Sequence, residues 1–180
     1  MFLLRMLMRR GRGQAMDPLQ VSMTGVRMGE RFLQIGCADR ALLAGLAAKV
    51  GLSGTAAVAV TNQQQADLVK STGAKVGALI DASDIDQGRQ WPFDAAAFDL
   101  VVVDDTDDSF SRFESRVSDV LRHARHSLRN GGRIEVVTPV TSVQGKFDYV
   151  QLLSEAGFKP VRILAEQGRL RFVEGLRTGD

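Results

Sequence analysis

Four carboxylates stand directly after the most continuous apolar run of the chain. The run Phe98–Val103 predicts a strand that is buried on both faces. It is followed by Asp104, Asp105, Asp107 and Asp108. Carboxylate oxygens at a strand end can take a proton from a substrate, hold a hard divalent cation or cap the next helix. A solvated acidic loop that caps the helix is the simplest interpretation, and we predict no metal site. Asp104, the first residue after the strand, is predicted to be a general base or an acid that faces the substrate.

A second group of candidate residues surrounds the first glycine that follows a short apolar run. Phe32–Ile35 predicts a strand, and the apolar residues within positions 42–50 recur at helical spacing. A strand, a tight turn and a helix form the first half of a nucleotide-binding crevice. Gly36 lets the backbone approach a ligand closely, and Asp39 is placed to cap the helix or to contact that ligand.

Strands and helices alternate along the rest of the chain. Five strands are predicted before residue 140, at Phe32–Ile35, Thr55–Val60, Val76–Ile80, Phe98–Val103 and Ile134–Val137. Helices lie between them, and the one before the fifth strand is predicted to end at Asn130-Gly131-Gly132. Two final strands flank a turn at Gly168. We predict an α/β fold with a Rossmann-like, doubly wound sheet of seven strands, whose last strand is antiparallel. Ligands bind such sheets at the carboxyl ends of the strands.

The composition fits one globular domain. The chain has 180 residues, of which 44% are hydrophobic and 24% charged, and a net charge of +2. Its charge is not clustered as in a nucleic-acid binder, and no stretch stays apolar for the roughly 20 residues of a membrane helix, so we predict neither partner. The single cysteine, Cys37, excludes an intrachain disulfide and fits a cytoplasmic setting. Residues 1–28 are predicted to form an N-terminal arm and residues 29–180 the domain.

Five segments occur in an order and at distances typical of one enzyme family. They are FLQIGCADR, ALIDASDI, WPFDAAAFDLVVV, VLRHARHSLRNGGRIEVVTP and LLSEAGFKPVRIL. From about Gly29 to Gly175 the chain resembles the class I S-adenosylmethionine-dependent methyltransferases, in their small single-domain, type 11-like form. The resemblance implies a seven-stranded sheet with an antiparallel last strand, and S-adenosylmethionine as the cofactor.

The resemblance also implies which residues contact the cofactor. The set comprises Gln34, Gly36, Cys37 and Ala38 at the first strand end, Thr61 and Asn62 at the second, Asp81 and Ala82 at the third, and Asp104 at the fourth. In the family, the position of Asp81 accepts a hydrogen bond from the adenine amino group. The backbone N–H of the next residue, here Ala82, meets the adenine ring.

Two of these strand ends depart from the family pattern. The first turn usually carries an acid followed by Gly-x-Gly-x-Gly, but here Gln34 replaces the acid, and Ala38 and Arg40 replace two glycines. At the second strand end a carboxylate usually accepts hydrogen bonds from both ribose hydroxyls, and Val60-Thr61-Asn62 supplies none. The loss of this charge assistance costs roughly 1–2 kcal/mol of binding free energy.

We therefore predict a methyltransferase that acts on a small or unidentified acceptor. The alternative is a degenerate, catalytically inactive relative that serves as a binding or scaffold protein. A dinucleotide-dependent oxidoreductase is a weaker third possibility, because its phosphate turn would need glycines that the segment after Gly36 lacks. The short segments outside the sheet leave two options for the acceptor site. Either the substrate is small and the crevice open, or a protein partner or a second copy of the chain completes the site.

Overall fold

The computed structural model describes residues 16–85, 90–141 and 148–179, except the side chain of Glu114. Its seven strands form one mixed sheet in the order β3-β2-β1-β4-β5-β7-β6. The strands are β1 (Arg31–Ile35), β2 (Thr55–Val60), β3 (Asp81–Asp84), β4 (Phe98–Asp104), β5 (Leu128–Pro139), β6 (Phe158–Gln167) and β7 (Leu170–Arg177). The first five strands pair in parallel, and β7 is antiparallel to both of its neighbours. The predicted fold class is confirmed.

Helices cover both faces of the sheet. They are α1 (Pro18–Met23), α2 (Arg40–Val50), α3 (Gln63–Val76), α4 (Glu114–Ser127) and α5 (Tyr149–Glu155). One buried cluster joins α1, α2 and α3 to residues such as Phe32 and Val58, and a second joins α4 and α5 to residues such as Leu33 and Ile35. This division follows from the strand period of two, which turns successive side chains to opposite faces. The winding direction reverses between β1 and β4, so a crevice is expected at their carboxyl ends.

The third strand lies later in the chain than the prediction placed it. The run Val76–Ile80 is not a strand, because α3 continues to Val76 and ends at Gly77, which has a left-handed φ of 67°. Gly73 lies within α3, where a Cβ would come 2.7 Å from the carbonyl oxygen of Ala78. Asp81 therefore begins β3 instead of following a strand.

The second difference concerns the end of α4. The helix ends at Ser127 and β5 begins at Leu128, so Asn130-Gly131-Gly132 lies inside the strand. The pairing register with β4 shifts at this point, from Phe98 opposite Leu128 to Leu100 opposite Arg133. The glycines accommodate this irregularity of the strand and do not cap the helix.

The described part of the predicted arm packs on the domain. Val21 of α1 and Val26 are buried in the cluster that contains α2. Gly45 of α2 makes this contact close, because a Cβ there would overlap a methyl group of Val21. The rest of the arm lies outside the described residues. Among the helices that the structure describes, none has the length and apolar character needed to cross a membrane.

Candidate functional site

A crevice of about 1170 Å³ opens at the carboxyl edge of the sheet. The turns after β1, β2 and β3 form one side of it, and the loop before α4 together with α4 itself forms the other. Residues that define the first side are Gly36, Cys37, Ala38, Arg40, Thr61 and Ile85; those of the second include Phe110, Phe113, Arg116 and His123, with Trp91. The crevice therefore lies at the switch point where the topology predicts a ligand.

Gly36 cannot carry a side chain in this structure. Its φ is 84°, and a Cβ would lie 2.9 Å from both the carbonyl oxygen of Asp104 and the Phe110 ring. The Phe110 ring and the Asp104 carbonyl fill the space that a side chain would take, and Gly36, Cys37 and Ala38 line the crevice beside them. Cys37 beside it is almost fully buried, and burial raises the pKa of its thiol to about 11, so the thiol stays protonated at neutral pH.

Asp39 caps α2 from the turn. Its Oδ1 accepts hydrogen bonds from the backbone N–H groups of Ala41 and Leu42, at 2.9 and 3.0 Å. In dinucleotide-binding proteins a pyrophosphate occupies such a helix end. Here a buried carboxylate already satisfies these donors and would repel a phosphate. The structure thus argues against a dinucleotide-dependent oxidoreductase.

Asp104 is fully buried and does not line the crevice. Its Oδ2 accepts from the backbone N–H of Asp39 at 2.8 Å, and its Oδ1 accepts from the hydroxyl of Thr106 at 2.7 Å. Burial raises the pKa of Asp104 to about 6, against these hydrogen bonds. The structure thus places Asp104 inside the turn, and its role as a base that faces the substrate stays a prediction. The carboxylate ties the turn after β1 to the turn after β4.

Gln34 also supports the turn from inside. It is fully buried, and its Nε2 donates to the carbonyl oxygen of Gly36 at 3.1 Å. The same Nε2 lies 3.5 Å from Oδ2 of Asp104. Its Oε1 is buried without a hydrogen-bond partner. Gln34 thus holds the backbone of the cofactor turn but does not itself line the crevice.

Of the two residues predicted to contact the cofactor at the turn after β2, one lines the crevice and the other caps α3. Thr61 is exposed and lines the crevice, and its hydroxyl donates to Oε1 of Gln65 at 3.1 Å. Asn62 caps α3, because its Oδ1 accepts from the backbone N–H of Gln65 at 3.0 Å, and it does not line the crevice. Thr61 is therefore the polar side chain that this strand end offers to a ligand.

The two residues predicted to contact the adenine at the third strand end lie outside the crevice lining. Asp81 and Ala82 pair with Ala57 and Val58 in the first half of β3, away from its carboxyl end, and neither lines the crevice. Ile85, which follows the strand, supplies an apolar wall instead. The predicted adenine contacts of Asp81 and Ala82 have no support in this geometry. Sequence reasoning missed Ile85 because it placed the strand too early.

The wall formed by α4 was also missed. Phe113, the N-cap residue of α4, is 59% exposed and lines the crevice. Further along, the ring of His123 stacks on Trp91, with the centroids 4.4 Å apart. Burial, together with the charge of Arg122, lowers the pKa of His123, so its ring is neutral at neutral pH. The usable signal was the spacing of Phe113, Arg116 and His123, which places them on one side of the helix.

Carboxylates of the acidic loop accept hydrogen bonds from other groups of the protein. Asp105 is buried and accepts from the backbone N–H of Phe110 at 2.8 Å and from the hydroxyl of Tyr149 at 2.7 Å. Asp107 accepts from the backbone N–H of Ser109 at 3.1 Å. Within residues 16–85, 90–141 and 148–179, no three His, Cys, Asp or Glu side chains are grouped so that they could hold a metal ion.

The fold is that of S-adenosylmethionine-dependent methyltransferases. A methyltransferase of this class from Aquifex aeolicus superposes with a TM-score of 0.73 and 16% identity, over 93% of both chains. An O-methyltransferase from Thermotoga maritima gives 0.71 and 19% identity, over 97% of this chain and 70% of the other. A 16S rRNA methyltransferase from T. thermophilus, in complex with AdoMet and guanosine, gives 0.60 and 18% identity, over 94% of this chain and 41% of the other. No protein-family model and no curated protein sequence matches the chain. The fold implied by the sequence resemblance is thereby confirmed.

Proposed function

We propose that this protein is an S-adenosylmethionine-dependent methyltransferase that acts on a small acceptor. The observation that carries the proposal is the crevice beside the turn at Gly36, at the switch point of a methyltransferase fold. Its volume of about 1170 Å³ exceeds the roughly 300–1,000 Å³ of a pocket for one small ligand. There is room for a cofactor and a second molecule.

The residues at the strand ends fit the cofactor's parts. The backbone of residues 36–38 would lie against the methionine portion, since these residues line the crevice. Thr61 offers a hydroxyl to the ribose, and Ile85 offers an apolar surface to the adenine. Arg40 is exposed at the crevice, and its guanidinium would pair with the methionine carboxylate. These contacts would offset part of the binding free energy that is lost because the usual ribose carboxylate is absent.

The protein's part in the reaction is to position the reactants and exclude water. When bound, the cofactor supplies an electrophilic methyl group. Methyl transfer then depends chiefly on the alignment of the acceptor atom with that group. Asp104 is buried with both oxygens engaged, which supports a structural role rather than that of a general base. A cytoplasmic setting and completion of the site by a partner or second copy belong to this proposal as expectations.

Calorimetric titration with S-adenosylhomocysteine tests the proposal, because this product lacks the sulfonium charge that any added acid would attract. We expect Thr61→Asp to lower the dissociation constant roughly tenfold by restoring a charged acceptor for the ribose hydroxyls. Gln63→Glu is the matched control. It adds the same charge two residues away, outside the crevice, and should change the affinity less than twofold, a difference of roughly 0.4 kcal/mol.

The two variants also separate the competing functions. Equal gains in both would show a general charge effect and not a ribose contact. No heat at millimolar ligand for the wild type and for Thr61→Asp would overturn the proposal. That result would favour the degenerate binding protein, which the neutral residues Gln34, Ala38 and Thr61 at the cofactor turns already suggest.

A further inference from the structure

We propose that the α4 side of the crevice is the acceptor subsite and that it takes a small planar aromatic molecule bearing a carboxylate. We call this surface the α4 wall; it consists of Phe113, Arg116, Val120 and His123, with Trp91 stacked on His123. The inference rests on the proposed function and adds the chemical class of the acceptor.

The α4 wall is a continuous strip that begins beside the cofactor turn. Phe113 is the N-cap residue of α4, and the helix positions Arg116, Val120 and His123 are spaced by four and three residues, which places them on one side of α4. Ten residues of helix span about 15 Å, enough to accommodate a second small molecule beside the cofactor. Phe110, just before α4, touches the Gly36 turn, so the wall and the turn are parts of one cavity.

Phe113 gives the wall an apolar ring that stays partly exposed beside the Arg116 guanidinium. This side chain is 59% exposed, although it stands at the mouth of the crevice where a ligand enters. At the other end, the Trp91 and His123 rings lie nearly parallel, with an interplanar angle of 6°. Flat aromatic surfaces favour a planar ligand over a bulky aliphatic one, because stacking adds to the burial of area.

Arg116 supplies an anion site next to the exposed ring. Its Cζ lies 5.7 Å from the Phe113 centroid, and its Nη1 donates to the carbonyl oxygen of Ser109 at 3.2 Å. No carboxylate among the side chains that the structure describes pairs with this guanidinium. Arg122, also at the crevice, is neutralised by Asp119 at 2.9 Å. The wall therefore combines a partly exposed aromatic ring with a guanidinium that pairs with no described carboxylate, and a guanidinium fork suits a carboxylate.

Calorimetry on the full chain with three matched compounds tests the inference. The probes are 4-hydroxybenzoate, 4-hydroxybenzyl alcohol, which lacks the charge, and cyclohexanecarboxylate, which lacks the planar ring. We expect 4-hydroxybenzoate to bind at least roughly fivefold more tightly than either analogue, a difference of about 1 kcal/mol. Arg116→Gln should abolish the preference over the alcohol, and Phe113→Leu should reduce the preference over the aliphatic acid.

Arg112→Gln is the control for charge. Arg112 is exposed four residues away and lies outside the crevice, so this variant should keep both preferences. Equal binding of the three compounds, no binding of 4-hydroxybenzoate at millimolar concentration, or equal effects of Arg112→Gln and Arg116→Gln would overturn the inference. A separate titration with S-adenosylhomocysteine distinguishes the two proposals. If only that ligand binds, the inference alone fails; if only the aromatic acid binds, the proposed function fails and the acceptor role fails with it.

Discussion

At the turn after β1, the replacement of the usual acid by Gln34 has a physical reason. Its Nε2 donates to the carbonyl oxygen of Gly36 and lies 3.5 Å from Oδ2 of Asp104. An ionised acid at position 34 would have no proton to donate and would stand beside a second buried carboxylate. Like charges at this distance in a buried site oppose each other's ionisation. A neutral amide is therefore compatible with the buried carboxylate of Asp104, and the departure from the family pattern is coupled to the neighbouring strand.

A second buried carboxyl group, Glu135 on β5, lies in the middle of the sheet. It is fully buried, and neither of its carboxyl oxygens has a hydrogen-bond partner among the residues that the structure describes. It lies opposite Glu174 of β7, which pairs with Arg162 at 2.9 Å, and Arg133 is two residues away. Burial, reinforced by the charge of Glu174, raises the pKa of Glu135 from 4.5 to about 9. The folded protein therefore holds this proton at neutral pH.

Glu135→Gln should stabilise the protein increasingly as the pH rises. Between the unfolded pKa of 4.5 and the folded pKa of about 9, only the folded state keeps the proton, so the wild type loses stability with rising pH. The free energy of unfolding of the variant minus that of the wild type should increase by about 1 kcal/mol per pH unit. Urea unfolding at several pH values from weakly acidic to weakly alkaline measures this difference. The exposed Glu166→Gln should give a constant offset, and a pH-independent difference for Glu135→Gln would contradict the assignment.

Among the elements, the contact between α1 and α2 depends on one glycine. Gly45 lies inside α2, where glycine is ordinarily less favourable than alanine by about 1 kcal/mol. A Cβ at this position would overlap Cγ2 of Val21 and would lie 2.9 Å from Sδ of Met16. The absence of a side chain therefore lets α1 pack closely on α2.

Gly45→Ala should lower the free energy of unfolding by about 1–2 kcal/mol, because the clash with Val21 outweighs the gain in helix propensity. In the double variant with Val21→Ala the clash is removed. We therefore expect the double variant to be more stable, by at least about 1 kcal/mol, than the sum of the two single effects would make it. Urea unfolding of the four proteins measures it, and strictly additive effects would show that the two helices do not meet as described.

The order of the elements was readable from the sequence, but the position of β3 was not. Strands such as Phe98–Asp104 are buried on both faces and carry a continuous apolar signal. β3 is a four-residue edge strand, Asp-Ala-Ser-Asp, with no apolar run. The nearby apolar segment 76–80 ends a helix and contributes only Ala78 and Ile80 to the core, while Val76 and Leu79 are exposed. The α4 wall was hidden for a related reason. Helical spacing alone does not distinguish a face that packs on the core from one that lines a crevice.

On the scale of the whole molecule, the two edges of the sheet have different roles. The carboxyl edge is open at the crevice, whereas the amino edge is closed by ion pairs. Asp99 of β4 accepts hydrogen bonds from the backbone and side chain of Arg31 in β1 and from the side chain of Arg129 in β5. Arg133 of β5 pairs with Glu30 at 2.9 Å. These contacts join three adjacent strands at the end opposite the proposed site.

Asp99→Asn should destabilise the whole domain at neutral pH and leave cofactor binding intact. Burial alone would raise the pKa of Asp99, but the hydrogen bonds from Arg31 and Arg129 outweigh it and hold this pKa well below its usual range. Its contribution is therefore present above the unfolded pKa of about 3.9 and is lost as the pH falls toward the folded pKa. We expect a loss of about 1–3 kcal/mol at neutral pH that shrinks in acid.

Urea unfolding at neutral pH and near pH 3, combined with titration of S-adenosylhomocysteine, measures both parts of that prediction. Asp67→Asn, on the exposed surface of α3, is the control and should change stability by less than about 0.5 kcal/mol. A loss of ligand affinity in Asp99→Asn, at temperatures where the variant is folded, would contradict the separation of the two edges.

The cap that Asp39 places on α2 has a consequence for ligand competition under the proposed function. Adenine nucleotides share the adenine and ribose of the proposed cofactor and would compete with it for the crevice. Those molecules carry phosphates, and the buried carboxylate of Asp39 already occupies the backbone donors of the helix end that would receive them. The proposed cofactor has no phosphate. Asp39 would thus disfavour the binding of adenine nucleotides without contacting the adenosine portion that they share with the proposed cofactor.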